Sequence, residues 1–262
     1  MIEPLVLYQA GRVATLTFNR PDARNALTPA LLRDAGAALK EAADDAGVRV
    51  VLLGGAGGSF CAGADIKATP TASPSDVFET FRRIYEGYAS FVLALRRLAK
   101  PVIAAVQGPA VGAGMSLALA ADLMVAARSA RFGQTFAKLG LGPDLGSFFF
   151  LPRAVGTARA RELMLFGDLI DAAEGERLGF VNRVFDDDGF GDAAMAYASR
   201  LAEGAPLAHA VVKRVLERAH RTDLEGLLHE EALAQSLLRL TADHAEGVAA
   251  FREKRKPTFE GR

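Results

Sequence analysis

Apolar positions recur in steps of two near the start of the chain and in steps of three and four toward its end. Residues 5–8 and 13–18 read as strands around a turn at Gly11, the second alternating apolar with small or polar residues. Asn19-Arg20-Pro21-Asp22 is turn chemistry. Thr28 followed by Pro29 supplies a capping side chain and a proline for the first helical position. The predicted helix runs to about Asp45, with Leu31, Leu32, Ala35, Leu39 and Ala42 on one face. Short apolar runs at 48–53, 102–106 and 123–127 predict buried strands. A long helix is predicted over 77–98, ending before Pro101, and a small-residue helix over 112–121. From Thr157 onward the spacing is helical, over 159–165, 172–178, 190–202, 206–220 and 224–240.

The order is β-β-α-β and then α-β-α-β, two rounds of a similar unit with right-handed crossovers expected. Residues 69–75 are rich in Pro, Ser and Thr and predict a mobile loop. No repeat of fixed period and no linker divides the chain. The expected organisation is an α/β core over 1–195 and a helical C-terminal region over 196–262.

Composition narrows the function. The 31 Lys and Arg balance 31 Asp and Glu, so no basic stripe favours nucleic acid. The single cysteine, Cys61, excludes an internal disulfide or a cysteine-rich metal site and points to a reducing, cytoplasmic setting. No apolar run reaches the ~18 residues of a membrane span, and the first residues resemble neither a signal nor a transit peptide. Exact neutrality favours association, and so an oligomer.

Four constellations compete as the seat of chemistry. His209, His220, His229 and His244 lack partners at ligand spacing, so no metal is expected. Gly114-Met115-Ser116-Leu117-Ala118 narrowly misses a nucleophile elbow, with no Asp or His arranged to complete a triad. Neither a dinucleotide nor a phosphate-loop glycine motif occurs. There remain two strand-to-turn junctions, Ser59-Phe60-Cys61-Ala62-Gly63-Ala64-Asp65-Ile66-Lys67 and Gln107-Gly108-Pro109-Ala110-Val111-Gly112-Ala113-Gly114-Met115-Ser116. Glycines there either close tight turns or let a ligand approach backbone N–H groups, which in convergence form an oxyanion hole.

Taken with Lys100-Pro101-Val102-Ile103-Ala104-Ala105-Val106-Gln107-Gly108, Phe132-Gly133, Asn19-Arg20-Pro21 and Arg24-Asn25-Ala26-Leu27, the junctions resemble the enoyl-CoA hydratase/isomerase (crotonase) superfamily. Leu151-Pro152-Arg153-Ala154-Val155-Gly156 and the tail Glu246-Gly247-Val248-Ala249-Ala250-Phe251 extend the resemblance over essentially the whole chain. It implies a crotonase-like spiral of ββα units, C-terminal helices that build a homotrimer or homohexamer, and an acyl-CoA thioester substrate. Coenzyme A enters as part of that substrate, with no separate cofactor. The implied oxyanion donors are the N–H groups of Ala64 and Ala113. Arg24, Ala26, Ala62, Asp65, Ile66 and Lys67 would line the CoA moiety, and Phe251 and Lys254 sit where a neighbouring subunit completes the pocket.

Members that hydrate enoyl thioesters use two glutamates. Here those places hold Ser116 and Phe136, neither a base at neutral pH. Further on, Asp144 lies between Leu141, Leu145 and Phe148-Phe149-Phe150, apolar neighbours expected to raise its pKa. By itself a Pro143-Asp144 pair is ordinary turn or capping chemistry. The stretch from Phe136 to Asp144, however, resembles isomerases of phenylacetate breakdown, which isomerise a ring-epoxide thioester and shift enoyl double bonds with one aspartate. Those enzymes carry Gly-Gly two residues after the aspartate, whereas Gly146 here is followed by Ser147. A hydratase or a non-catalytic acyl-CoA-binding relative are the rival expectations.

Overall fold

The structure is a computed structural model that describes residues 4–67 and 76–262. The loop expected at 69–75 lies outside the described residues. β1 (Val6–Gln9) is an antiparallel edge on β2 (Val13–Phe18). From β2 the chain repeats one unit: a strand of the large sheet, a brief extended segment of a second layer, and helix. β2 is followed by a bridge at Leu27 and by α1 (Pro29–Asp44). β3 (Val50–Gly55) is followed by bridges at Cys61 and Ala64, then α2 (Val77–Arg82) and α3 (Ala89–Arg97). β4 (Val102–Val106) leads to β5 (Pro109–Val111) and α4 (Ala113–Ala120). β6 (Leu123–Ala127) leads to β7 (Arg131–Gly133), then α5 (Ser147–Val155) and α6 (Thr157–Phe166). β8 (Ile170–Asp171), α7 (Ala172–Leu178) and β9 (Arg183–Phe185) complete the layers.

The large sheet runs β1-β2-β3-β4-β6-β9 and is parallel from β2 onward, while β5-β7-β8 form the second sheet. Four units are therefore present rather than the two expected. The extra strands are two or three residues long, too short for a period-2 pattern to register.

Burial on both faces explains the continuous apolar runs of β3, β4 and β6. Leu53, Val102, Ala104 and Val106 enter the main core with α1, α3 and α4. Val50, Leu52, Ile103, Ala105, Val125 and Ala127 face a second cluster capped by Phe190, Ala194, Ala198 and Ala202 of α8 (Phe190–Ala202). The boundary expected after residue 195 thus falls inside a helix whose two ends share one core.

Thr28 caps α1 as its sequence predicts, its Oγ1 accepting the Leu31 N–H at 3.2 Å. The helix expected over 77–98 is interrupted by a π-helical segment, Arg83–Tyr88. Its wider turn shifts the buried face, so Phe78, Phe81 and Tyr85 are exposed while Tyr88, Phe91 and Leu95 are buried.

The C-terminal helices α9 (Pro206–Ala219), α10 (Leu224–Leu238) and α11 (Ala242–Glu253) are tied back through buried Lys213. Its ammonium lies 2.7 Å from Asp122 and donates to the Leu95 carbonyl at 2.9 Å. The Asp243 carboxylate accepts from the Glu260 and Gly261 N–H groups and fastens the last residues to α11.

Candidate active site

The two junctions meet edge to edge. Cys61 N–H donates to the Pro109 carbonyl at 3.0 Å, and Val111 N–H donates back to the Cys61 carbonyl at 3.1 Å. A β-carbon at Gly114 would lie 2.2 Å from the Cys61 carbonyl oxygen, so only glycine permits this approach. A β-carbon at Gly63 would lie 3.7 Å from the Ala113 nitrogen, which places the peptide leading to Ala64 beside the first turn of α4.

Gly112, at φ 53 and ψ −125, holds a conformation closed to side-chain-bearing residues and orients the peptide that carries the Ala113 N–H. Ala113 opens α4, so its N–H lies at the positive end of a helix and has no acceptor within it. On the other junction, Leu27 N–H donates to the Gly63 carbonyl and Asp65 N–H to the Leu27 carbonyl, skipping Ala64. Among the described residues neither the Ala64 nor the Ala113 N–H is given to a backbone acceptor. These are the two N–H groups that the resemblance implies as oxyanion donors.

Residues 24–27 run beside 62–65, with Ala62 N–H donating to the Arg24 carbonyl at 2.9 Å. Arg24 and Ala26 are thereby brought to Ala62 and Ala64; Arg24, Ile66 and Lys67 are exposed, and Ala26 is buried. The Asp65 carboxylate is engaged by Arg20 at 2.9 Å, and Arg20 also donates to the Ala26 carbonyl at 2.5 Å. The place of Asp65 in the site is that of a strut between the two segments. Phe251 is exposed on α11 and lines a groove with Leu238 and Phe259. Lys254 ends the same helix at φ 55.

Asp144 lies on the loop before α5. Burial pushes its carboxyl up from 3.8 to about 6, against the opposing effect of its own backbone N–H. Its Oδ1 is buried and has no hydrogen-bond partner among the described residues, an orphan acceptor of the kind a base presents to a substrate proton. The turn behind it is strained: Leu145 is buried at φ 51, a left-handed conformation that costs about 1–2 kcal/mol outside glycine, and Gly146 follows at φ 86. Of the three phenylalanines that follow, Phe150 packs against the core and Phe148 is exposed, its ring edge 3.9 Å from where a Gly142 β-carbon would stand. Phe149 lies under the Arg153 guanidinium, 3.6 Å from the ring centre.

Ser116 and Phe136 are both buried, and the Ser116 hydroxyl is bonded to Gly112 and to Ser147. Among the described residues no cluster of His, Cys, Asp and Glu is arranged to hold a metal.

Sequence reasoning missed Tyr88, Asn25 and the partner of Ser147. Tyr88 donates to the Leu27 carbonyl at 3.4 Å, behind the Ala64 bridge. Burial raises the pKa of its phenol; Arg83 opposes, and the charges of Asp144 and Asp65 raise it further. The π segment that turns it inward leaves no periodic signature. Asn25, buried at φ 56, receives the Arg20 N–H and donates to Ala56 and Ser59, clamping the loop. Its signal was available, since asparagine tolerates left-handed backbone.

The enoyl-CoA hydratase/isomerase family model matches residues 9–262. The 1,2-epoxyphenylacetyl-CoA isomerase of Escherichia coli strain K12 is 38% identical over 265 residues, covering 100% of each chain. A probable enoyl-CoA hydratase of Rhodobacter capsulatus is 41% identical over 95% of each chain. Among solved structures, an enoyl-CoA hydratase/isomerase from Mycobacterium abscessus superposes with a TM-score of 0.92 at 37% identity, covering 98% of this chain and 100% of that one. An enoyl-CoA hydratase from Bacillus anthracis gives the same TM-score of 0.92 at 33% identity, over 99% of this chain and 100% of that one. The chain belongs to the enoyl-CoA hydratase/isomerase family.

Proposed function

We propose that this protein is an acyl-CoA isomerase that uses Asp144 as its single acid and base. The observation that carries the reading is the buried Oδ1 of Asp144, which has no hydrogen-bond partner among the described residues, together with Ser116 and Phe136, which offer no second acid. Hydration needs a group to activate water and another to protonate carbon, whereas moving a double bond needs only one proton shuttle.

For a 3-enoyl thioester, Asp144 takes the proton at C2. The electron pair of that C–H bond forms the enolate, whose oxygen the Ala64 and Ala113 N–H groups receive. The thioester carbonyl then re-forms, C2 and C3 become doubly bonded, and the pair from C3–C4 takes the proton back from Asp144 at C4. With a pKa of about 6, Asp144 is ionised at neutral pH yet gives up the proton readily once protonated. The same groups suit isomerisation of a ring-epoxide thioester, the activity that names the Escherichia coli relative. Arg24, Ala26, Ala62, Ile66 and Lys67 flank the CoA moiety in this reading.

Exposed Leu224, Leu233, Leu237 and Leu240 on and after α10, beside an apolar groove of about 830 Å³, support assembly as a homotrimer or homohexamer, which sizing in solution measures.

The test is incubation with 3-hexenoyl-CoA and with crotonyl-CoA in deuterated water. The isomerase gives 2-hexenoyl-CoA and leaves crotonyl-CoA unhydrated, and Asp144→Asn lowers the rate by about 10³-fold while still binding the thioester. Full activity in that variant, or efficient formation of the 3-hydroxy ester, overturns the assignment. The latter outcome would favour the hydratase name carried by several relatives.

A further inference from the structure

The hydroxyls of Ser116 and Ser147 lie 2.8 Å apart, and both residues are 0% exposed. Ser116 is on α4, three residues after the oxyanion donor Ala113, and Ser147 is the first residue of α5, three after Asp144. We propose that Ser116 and Ser147 are positioning residues that polarise the Gly112–Ala113 peptide and hold it in register with the turn bearing Asp144.

The hydrogen bonds form one path. Ser116 Oγ donates to the Gly112 carbonyl at 3.2 Å, and the Ser116 N–H donates to the same oxygen at 3.1 Å. That oxygen and the Ala113 N–H are opposite ends of a single peptide group. Two donors on the oxygen draw electron density toward it and leave the N–H a stronger donor to an enolate. With its own hydrogen committed to Gly112, Ser116 accepts from Ser147, whose hydroxyl therefore donates. The Ser147 N–H in turn donates to the Asp144 carbonyl at 3.1 Å.

A serine bonding the carbonyl four residues back is ordinary in a helix. Two facts set this one apart: the carbonyl belongs to the peptide that carries an oxyanion donor, and the serine itself receives a second buried hydroxyl from another helix. Nor is Ser147 spent on capping, because Gly146 precedes α5 and no side chain caps it. The strained pair Leu145 and Gly146 needs an anchor at its far end, and the two bonds of Ser147 supply one.

The kinetic consequence rests on the isomerase reading; the polarisation does not. The experiment compares Ser116→Ala, Ser116→Cys, Ser147→Ala and the double alanine variant. Each is assayed for kcat and KM with 3-hexenoyl-CoA and for melting temperature. Each is also made in an Asp144→Asn background, where the carbonyl stretch of bound crotonyl-CoA reports the hole directly.

Ser116→Ala is expected to lower kcat about tenfold with KM within about twofold, and to move the carbonyl stretch back toward its value in free thioester. Ser116→Cys keeps the size and loses the strong donor, so it follows alanine. Ser147→Ala moves both readouts less, and the double variant equals Ser116→Ala because Ser147 acts through Ser116. An unchanged stretch, a double variant whose losses multiply, or an effect confined to melting temperature overturns the proposal. If Asp144→Asn instead kept full turnover, the isomerase reading would fall while the stretch still judged the serines.

Discussion

The two halves of the proposed oxyanion hole present the same N–H group and are supported in opposite ways. Ala64 sits in an exposed segment held by a single-residue bridge to Leu27 and an ion pair between Arg20 and Asp65. Ala113 starts a helix in which every residue is buried, fixed by a glycine at φ 53 and backed by hydroxyls that never meet water. The surface half is pinned by a charged pair whose two side chains remain part-exposed. The interior half is fixed by close packing, which tolerates almost no displacement.

Gly114→Ala strikes where the two halves touch, and has the largest expected effect. Its β-carbon would overlap the Cys61 carbonyl at 2.2 Å, and neither backbone can yield cheaply. A loss of about 1–3 kcal/mol in stability is expected, with a far larger loss of kcat, because both donors move apart. Thermal melting alongside kcat measures the two, and wild-type kcat in this variant would show that the halves act separately.

Asp65→Asn loosens only the surface half. It removes one partner of a pair in which the side chains are 23% and 14% exposed, and about 1–2 kcal/mol of stability should follow. If the comparison holds, KM for the thioester rises more than kcat falls. The reverse split would mean that the ion pair positions the N–H itself.

The mildest probe is pH. In the proposed reaction Asp144 must be ionised to accept a proton, so kcat/KM should fall below a limb near pH 6, the value to which burial lifts it. Stability runs the other way. A carboxyl at about 6 folded and 3.8 unfolded holds its proton more tightly in the native state, so stability falls as pH rises between those values and the penalty is complete above them. Asp144→Asn should therefore melt higher than wild type at pH 7.5, by an amount worth about 1–3 kcal/mol, and the gain should vanish at pH 4.

Much of this was legible in the sequence because its causes are local. The Thr28-Pro29 cap and the glycines of both junctions announce themselves within a few residues, whereas Asp144 was singled out only by the resemblance of its stretch to a known family. Helices at 172–178 and 190–202 end where their apolar spacing ends. What escaped notice depends on distant partners. β5, β7 and β8 are too brief to carry a period, so half of the repeating units were invisible. α5 and α11 were also not anticipated, the first hidden in a run of three phenylalanines. Asp65 is paired with Arg20, forty-five residues earlier, a partner that no local pattern announces. Ser147 stood out as a departure from glycine, but its reason lies thirty-one residues away at Ser116.

Cys61 shows what the meeting of the two junctions entails. Its sulfur is fully buried beneath them, and burial drives its thiol up to about 12. A maleimide or other alkylating reagent needs both access and a thiolate. Neither exists while the junctions stay zipped, so the chain's one cysteine turns any such reagent into a clock for the rate at which the junctions come apart.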